Sequence, residues 1–406
     1  MSQDLETLQR IHADWVGKKL SIDITRGKPS SDMLGIANAL DETDMGDYRS
    51  DGIDARNYGE PQGLPAMRKW LAGHYGVPFE NVLVGGNSSL ELMYQAVLRG
   101  WQWGYAGQPP WREATAAFLC PVPGYDRHFA ICEHFGIEML PVEQDSSGPD
   151  MDAVEALMAG RDDIVGMWCV PRHGNPSGET YSDEVVRRIA ALGRSARADF
   201  RVLWDNAYAF HDFHPERAPA LLNIHDVARE AGAADSVMMF SSLSKVTRAS
   251  GGVTFCAASE GNLRELMRTR TVATLGGDKV NQLRHLKFFE KHPLEEVMRA
   301  HGDFLRARFE TVNRRLREVS DLCRFSDPSG GYFVSLYVPD GTATRVAQLC
   351  TEAGLSITPP GAAYPHGNDP ADSHLRIAPS YPPIEDLDTA MQILTNAIRL
   401  AHVQRN

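Results

Sequence analysis

The sequence predicts an α/β fold: a large domain with a mostly parallel sheet sandwiched by helices, plus a smaller α+β domain formed by both termini. Three observations lead there. Short apolar runs recur at 116–120, 164–170, 202–204, 237–240 and 253–257, the size of strands buried on both faces. Helical stretches lie between several of them, the alternation expected of a parallel sheet with helical crossovers. The texture then changes after about residue 290, and 406 residues suit two domains better than one.

Taken in order, residues 82–86 (Val-Leu-Val-Gly-Gly) read as a short strand and turn. Leu90, Met93, Tyr94, Val97 and Leu98 come next at helical spacing. Pro109-Pro110 and Pro359-Pro360-Gly361 punctuate loops. Pro293 opens a long charged amphipathic stretch to about Val319. Strand-like runs at 332–338 and 375–378 come next, then a last helix from Ile384 to about Ala401. The expected division is 48–290 for the large domain, with 1–47 and 291–406 forming the small one.

Composition excludes some functions. Apolar residues make up 43% and charged residues 23%, so a sizeable core is available. The balance of 41 basic and 53 acidic side chains, net −12, argues against nucleic acid as the main partner. No run of about 18 apolar residues is present, so no membrane span is expected. The polar start, Met1-Ser2-Gln3-Asp4-Leu5-Glu6, lacks a signal-peptide core. Six cysteines without a Cys-x-x-Cys pair fit reduced thiols, and the expected location is the cytoplasm.

Five segments could carry chemistry. Between 237 and 255 the only charges are Lys245 and Arg248, in the string Ser241-Ser242-Leu243-Ser244-Lys245-Val246-Thr247-Arg248. A desolvated lysine can act as nucleophile or Schiff-base former; a surface lysine among serines is the plain alternative. Asp205 directly follows an apolar run, where open α/β sheets bind ligands, although helix caps also use aspartate there. Asn175-Pro176-Ser177-Gly178 makes a tight turn after 164–170, by itself no more than a loop. Gly85-Gly86-Asn87-Ser88-Ser89 joins strand to helix, as an anion cradle or an ordinary capped start. Arg376 lies in a strand-like run, where it can bind a carboxylate or reach out to water.

Together and in this order, these segments resemble the fold-type I enzymes dependent on pyridoxal 5′-phosphate, specifically the class I aminotransferases. The strings Thr25-Arg26-Gly27-Lys28-Pro29, Asn57-Tyr58-Gly59, Pro121-Val122-Pro123-Gly124-Tyr125-Asp126-Arg127-His128-Phe129 and Asp278-Lys279-Val280-Asn281-Gln282-Leu283-Arg284-His285 resemble the bacterial aspartate aminotransferases of subgroup Ic. The resemblance implies that Lys245 holds the cofactor and moves the proton. It implies that Asp205 pairs with the pyridine nitrogen, that Tyr208 and Asn175 bond the phenolic oxygen, and that Tyr125 stacks on the ring. Asn87, Ser88 and Ser242 would hold the phosphate, joined by Tyr58 from the neighbouring subunit of a homodimer. Arg376 would clamp the substrate α-carboxylate, with Gly27 and Asn175 beside it. The implied reaction moves the amino group of L-aspartate to 2-oxoglutarate through a pyridoxal/pyridoxamine phosphate ping-pong cycle. Transfer from aromatic or other amino acids, or C–S lysis, is the alternative on the same scaffold.

Two positions depart from the family pattern. Val253 stands where most members have a phosphate-binding arginine, and Arg248 is the candidate substitute. No residue matches the cation for an acidic side chain; Arg26, Lys279 and Arg284 are the candidates. Three rivals are disfavoured. Ser242-Leu243-Ser244-Lys245 fits the Ser-x-x-Lys pattern, but Ser-Asp-Asn and Lys-Thr-Gly are absent. His211-Asp212-Phe213-His214 lacks the His-Glu-x-x-His of a metal hydrolase, so no metal site is expected. An effector-binding regulator would carry a basic segment in front.

Overall fold

The computed structural model describes residues 2–405. Its large sheet is built from β1 (Val82–Val84), β2 (Ala117–Val122), β3 (Glu138–Asp145), β4 (Gly148–Pro149), β5 (Ile164–Cys169), β6 (Arg201–Asp205), β7 (Val237–Ser242) and β8 (Thr254–Ala258). The helices include α1 (Ser2–Gly17), α2 (Ser89–Trp103), α3 (Asp126–Phe135), α4 (Lys279–Lys291), α5 (Leu294–Arg317) and α6 (Ile384–Arg405).

The strands lie in the order β1-β8-β7-β6-β5-β2-β3-β4. β7, β6, β5, β2 and β3 pair in parallel, while β8 runs against β7 and β1, and β4 against β3. The runs are apolar throughout because both faces are covered. Val202, Trp204, Val237 and Met239 enter one core layer, and Leu203, Met238 and Phe240 enter the other. β3 and β4 are the strands of this sheet that sequence patterning did not single out. The burial of β3 alternates around Pro141, and its outer neighbour is only the two-residue β4.

A third core layer lies under an antiparallel sheet of β9 (Arg324–Phe325), β10 (Val334–Tyr337) and β11 (His374–Ile377). Leu305, Phe309, Val312 and Leu316 of α5 pack there with Leu387, Met391, Leu394 and Ile398 of α6. Ile22–Asp23 pairs in parallel with Leu355–Ser356, so the N-terminal segment is tied to this part. Ile24 and Met33 join the same core, whereas Ala37, Leu40 and Met45 pack with the large sheet, as do Leu294, Val297 and Met298 of α5. The core therefore changes between Met33 and Ala37, and again within α5.

The segment after β6 bridges the layers. Tyr208 and Phe213 belong to the third core, and Phe213 meets Phe309 with ring centroids 4.4 Å apart. Truncating Phe309 to alanine would cost about 3–5 kcal/mol, through lost burial and the cavity left behind.

Candidate active site

The carboxyl ends of β1, β2, β5, β6 and β7 open on one side of the sheet, where α/β folds place their ligands. A cavity of about 250 Å³ lies there, lined by Asn87, Ser88, Tyr125, Asn175, Asp205, Tyr208, Ser242, Ser244 and Lys245 among others. Residues from five separate loops thus converge, and their order in the chain follows from the strand order.

Lys245 comes after β7 on a tight turn. The Ser244 amide donates to Ser242 Oγ at 3.0 Å, and Ser244 Oγ donates to the Asn87 carbonyl at 2.7 Å. Gly252 is needed beneath it, since a Cβ there would strike the Ser244 backbone. His211 and His301 support the turn from behind, with Nε2 atoms 3.4 Å from the Lys245 carbonyl and 3.0 Å from the Val246 carbonyl. The lysine Nζ lies 4.6 Å from the centroid of the Tyr208 ring, with no hydrogen bond or ion pair to any described residue.

Asp205 ends β6 and is 4% exposed. Its Oδ2 lies 3.1 Å from His128 Nε2, while its buried Oδ1 has no partner. An unpaired buried carboxylate oxygen costs several kcal/mol of lost hydration, of order 1–3 kcal/mol even for a neutral group, so a ligand donor belongs there. His128 is fixed in turn. It stacks on Trp168 at 4.3 Å and meets Tyr125 edge-on at 4.9 Å. Sequence reasoning assigns His128 no role of its own; its place three residues after Tyr125, on the first turn of α3, is the one signal that could have found it. Burial pushes the Tyr125 phenol up to about 12 and the Tyr208 phenol higher still, so both stay protonated donors.

At the far rim, Ser88 caps α2, with its Oγ accepting from the Glu91 amide at 3.4 Å. The helix start offers N–H donors suited to an anion, beside a hydroxyl chain in which Ser242 Oγ donates to Ser244 Oγ at 2.8 Å and would turn to reach a ligand. Asn87 is partly committed, since its Nδ2 donates to the Ser250 carbonyl at 2.6 Å. Arg248, expected at the phosphate, pairs instead with Asp41 at 2.5 Å and does not line the cavity.

Arg376, on β11, is buried beside Asn175. Its Nη1 donates to Asn175 Oδ1 at 3.2 Å and to Asp126 Oδ1 at 3.1 Å; its Nε donates to Thr358 Oγ1 at 3.3 Å. Thr358 in turn donates to the Thr25 carbonyl at 2.7 Å. The guanidinium carbon is 5.3 Å from the Phe333 ring centroid, and a Cβ at Gly27 would strike that ring. Gly27 is therefore part of the packing that sets Arg376. The contacts of Asp126, Thr358 and Phe333 with Arg376 carried no sequence signal, because they span up to 250 residues of chain.

The candidates for a second substrate cation behave differently. Arg26 is exposed with its side chain unbonded, and Arg284 is half-buried, likewise unbonded. Lys279 is buried and spends its ammonium on the carbonyls of Asn57 and Gly59. Tyr58 lies outside the cavity and is 84% exposed. The His211–His214 segment is likewise engaged elsewhere, with Asp212 bonded to Arg172 and His173. Among the described residues no group of three His, Cys, Asp or Glu side chains converges on a metal site, and no helix is long and apolar enough to cross a membrane.

The arrangement fits pyridoxal 5′-phosphate. A buried carboxylate oxygen waits for a ring N–H, a lysine amine has no partner, and hydroxyls with a helix start face the same space.

The comparisons with known proteins agree. The family model described as aspartate amino-transferase matches residues 1–406. An aspartate aminotransferase of Corynebacterium glutamicum is 40% identical, over 98% of this chain and 93% of its own. The crystal structure of an aspartate transaminase from that species superposes with a TM-score of 0.94 at 39% identity, covering 99% of this chain and 96% of that one. An α-aminoadipate aminotransferase from Thermus thermophilus, solved with N-(5′-phosphopyridoxyl)-L-leucine, shares the fold at TM-score 0.77 and 22% identity, covering 95% of this chain and 93% of that one.

Proposed function

Because this chain belongs to the aspartate amino-transferase family, whose members are pyridoxal 5′-phosphate-dependent aminotransferases, we propose that it moves the amino group of L-aspartate to 2-oxoglutarate. The observation that carries the cofactor chemistry is the partnerless Asp205 Oδ1, buried in the same cavity as the partnerless Lys245 amine; the choice of aspartate rests on the 40% identity to the Corynebacterium glutamicum enzyme.

When bound, the cofactor supplies an electron sink that makes the substrate Cα–H acidic. The chain does the rest. Asp205, held by His128, would accept a hydrogen bond from the proton-bearing ring nitrogen and keep it charged. Lys245 would be the attachment point, and its amine, when free, would hold and move the proton taken from the substrate Cα. Tyr208 and Asn175 would donate to the cofactor's phenolic oxygen, and Tyr125 would pack against its ring. Ser88, Ser242 and the start of α2 bind the phosphate, with Asn87. Tyr58 of a second copy completes that site, so the working form is a homodimer, acting in the cytoplasm. Arg376 receives the α-carboxylate, which places the reacting Cα near Lys245.

A panel of amino donors with 2-oxoglutarate tests the assignment, together with the absorbance change of the bound cofactor. L-aspartate should give the highest kcat/KM. One feature favours a second reading: apart from Lys245, no cation is among the named lining residues, so an aromatic or other uncharged side chain also fits. Preference for such a donor would replace aspartate while leaving the cofactor chemistry in place.

A further inference from the structure

We propose that Lys279 is a positioning residue, holding the Tyr58 loop in the shape that reaches the active site of the neighbouring subunit. This rests on the reading of Tyr58 as a contact to the partner's phosphate.

Lys279 opens α4 and is 5% exposed. Among the described residues no carboxylate pairs with it. Its Nζ donates to the carbonyls of Asn57 at 2.6 Å and Gly59 at 2.8 Å, the two residues flanking Tyr58. Lysine is rarely buried without a counter-charge, since the ammonium loses its hydration. Here that desolvation is offset only by backbone acceptors, and what it secures is the conformation of one short loop.

The loop needs securing. Tyr58 projects 84% of its surface into solvent, while its amide donates to Asn57 Oδ1 at 2.8 Å. Gly59 has φ +110° and Glu60 φ +52°, left-handed geometry with no regular structure to enforce it. Gly276 backs the loop closely, since a Cβ there would come within 2.8 Å of the Gly59 carbonyl. The neighbouring stretch also exposes Val272 and Leu275, at 89% and 65%. Bulky apolar groups exposed beside this loop are what a second copy of this chain would cover.

The same helix reaches the other way. Asn281 Nδ2 donates to the Gly251 and Gly252 carbonyls at 2.9 and 3.2 Å, and His285 Nε2 lies 2.9 Å from Thr247 Oγ1. Gln282 Oε1 accepts from the Leu64 amide at 2.8 Å. α4 thus braces both the Lys245 loop of its own site and the Tyr58 loop offered to the other. Without the ammonium, the exported loop would have to be ordered when the cofactor binds, and affinity would fall by that entropy.

The test measures the dissociation constant of pyridoxal 5′-phosphate from the holoenzyme for Lys279→Met, Lys279→Gln, Tyr58→Phe and the Lys279→Met/Tyr58→Phe double variant. Donor KM at saturating cofactor is measured alongside. Lys279→Met and Tyr58→Phe should each weaken cofactor binding about tenfold. The double variant should be no weaker than about tenfold, because both changes remove one contact. Lys279→Gln, which keeps one donor pair, should fall between, and it serves if the methionine variant does not fold. Donor KM should stay within about twofold. Native-like retention in both Lys279 variants, beside a weakened Tyr58→Phe, overturns the inference alone. So does a double variant weakened about a hundredfold, since independent losses multiply. A Tyr58→Phe variant that holds cofactor normally overturns the partner contact itself, and the inference with it.

Discussion

Two aspartates seven residues apart, Asp205 and Asp212, each bond a histidine inside the protein, at 3.1 Å to His128 and at 2.7 Å to His173. There the likeness ends. Arg172 Nη2 donates to both oxygens of Asp212 at 2.8 Å, so that carboxylate is saturated. Burial pushes the Asp212 carboxyl up, but the His173 hydrogen bond and the Arg172 charge outweigh it and hold it below the usual range. Burial also keeps His173 neutral more readily than in water, against the pull of Asp212. Asp205 has the deeper burial, no arginine and an oxygen left over. The lesson concerns satisfaction rather than composition. The same pair of residue types is a structural joint where both carboxylate oxygens are answered, and half of a binding site where one of them is not.

Removing each carboxylate should break the likeness most plainly. Asp205→Ala should cut kcat/KM by at least about 10³-fold, about 4 kcal/mol of transition-state stabilisation, because the ring nitrogen loses its charge partner. Stability of the cofactor-free protein should hardly fall, since an unanswered oxygen goes with the side chain. Asp212→Ala should do the reverse. It strands Arg172 and His173, costing about 2 kcal/mol of unfolding free energy at this partly exposed pair. Turnover should stay within about fivefold. Steady-state kinetics and urea unfolding of both variants check this. Equal effects on both readouts would erase the distinction.

The difference between the two aspartates was only half legible in the sequence. Asp205 stood at the end of an apolar run, and the strand-end rule of α/β sheets pointed at it. Asp212 sat in a His-Asp-Phe-His string that looked metal-like, and only the fold shows Arg172 closing over it. Cations were the least legible. Arg248, Lys279 and Arg376 are each a single basic residue in a plausible place. What each ammonium or guanidinium bonds is set by segments 41, 57–59, 126, 175 and 358, far away in the chain. Periodicity reports which face is buried, not which distant carbonyl or carboxylate meets a long side chain.

Acid should sharpen the contrast between buried histidines and paired carboxylates. Burial holds His225, His285 and His374 down to about 4, against about 6.5 in an unfolded chain. Above pH 6.5 each is neutral folded or unfolded, and nothing is lost. As pH falls below that, the unfolded chain takes up protons that the folded one refuses, so stability drops. At pH 5 the loss is about 2 kcal/mol for each. The Asp212 carboxyl, held low, keeps its contribution until pH falls below the ordinary carboxylate range. Unfolding free energy should therefore decline from about pH 6.5, and His225→Asn should shrink that decline by its share. A flat curve down to pH 5 would mean that these rings accept protons in place.

The smallest effect tests the same distinction on cations. Lys245 has no partner in the cavity, whereas Arg248, three residues on, is matched to Asp41 at 2.5 Å with both side chains partly in solvent. An exposed ion pair is worth about 0–1 kcal/mol. Arg248→Ala should thus lower unfolding free energy by no more than that, and should leave the pyridoxal 5′-phosphate dissociation constant within about twofold. Phosphate affinity would then come from the α2 N-terminus and serine hydroxyls, neutral donors lining one cavity. A tenfold loss of cofactor affinity would instead show that Arg248 leaves Asp41 for the phosphate, and that a satisfied cation can be recruited.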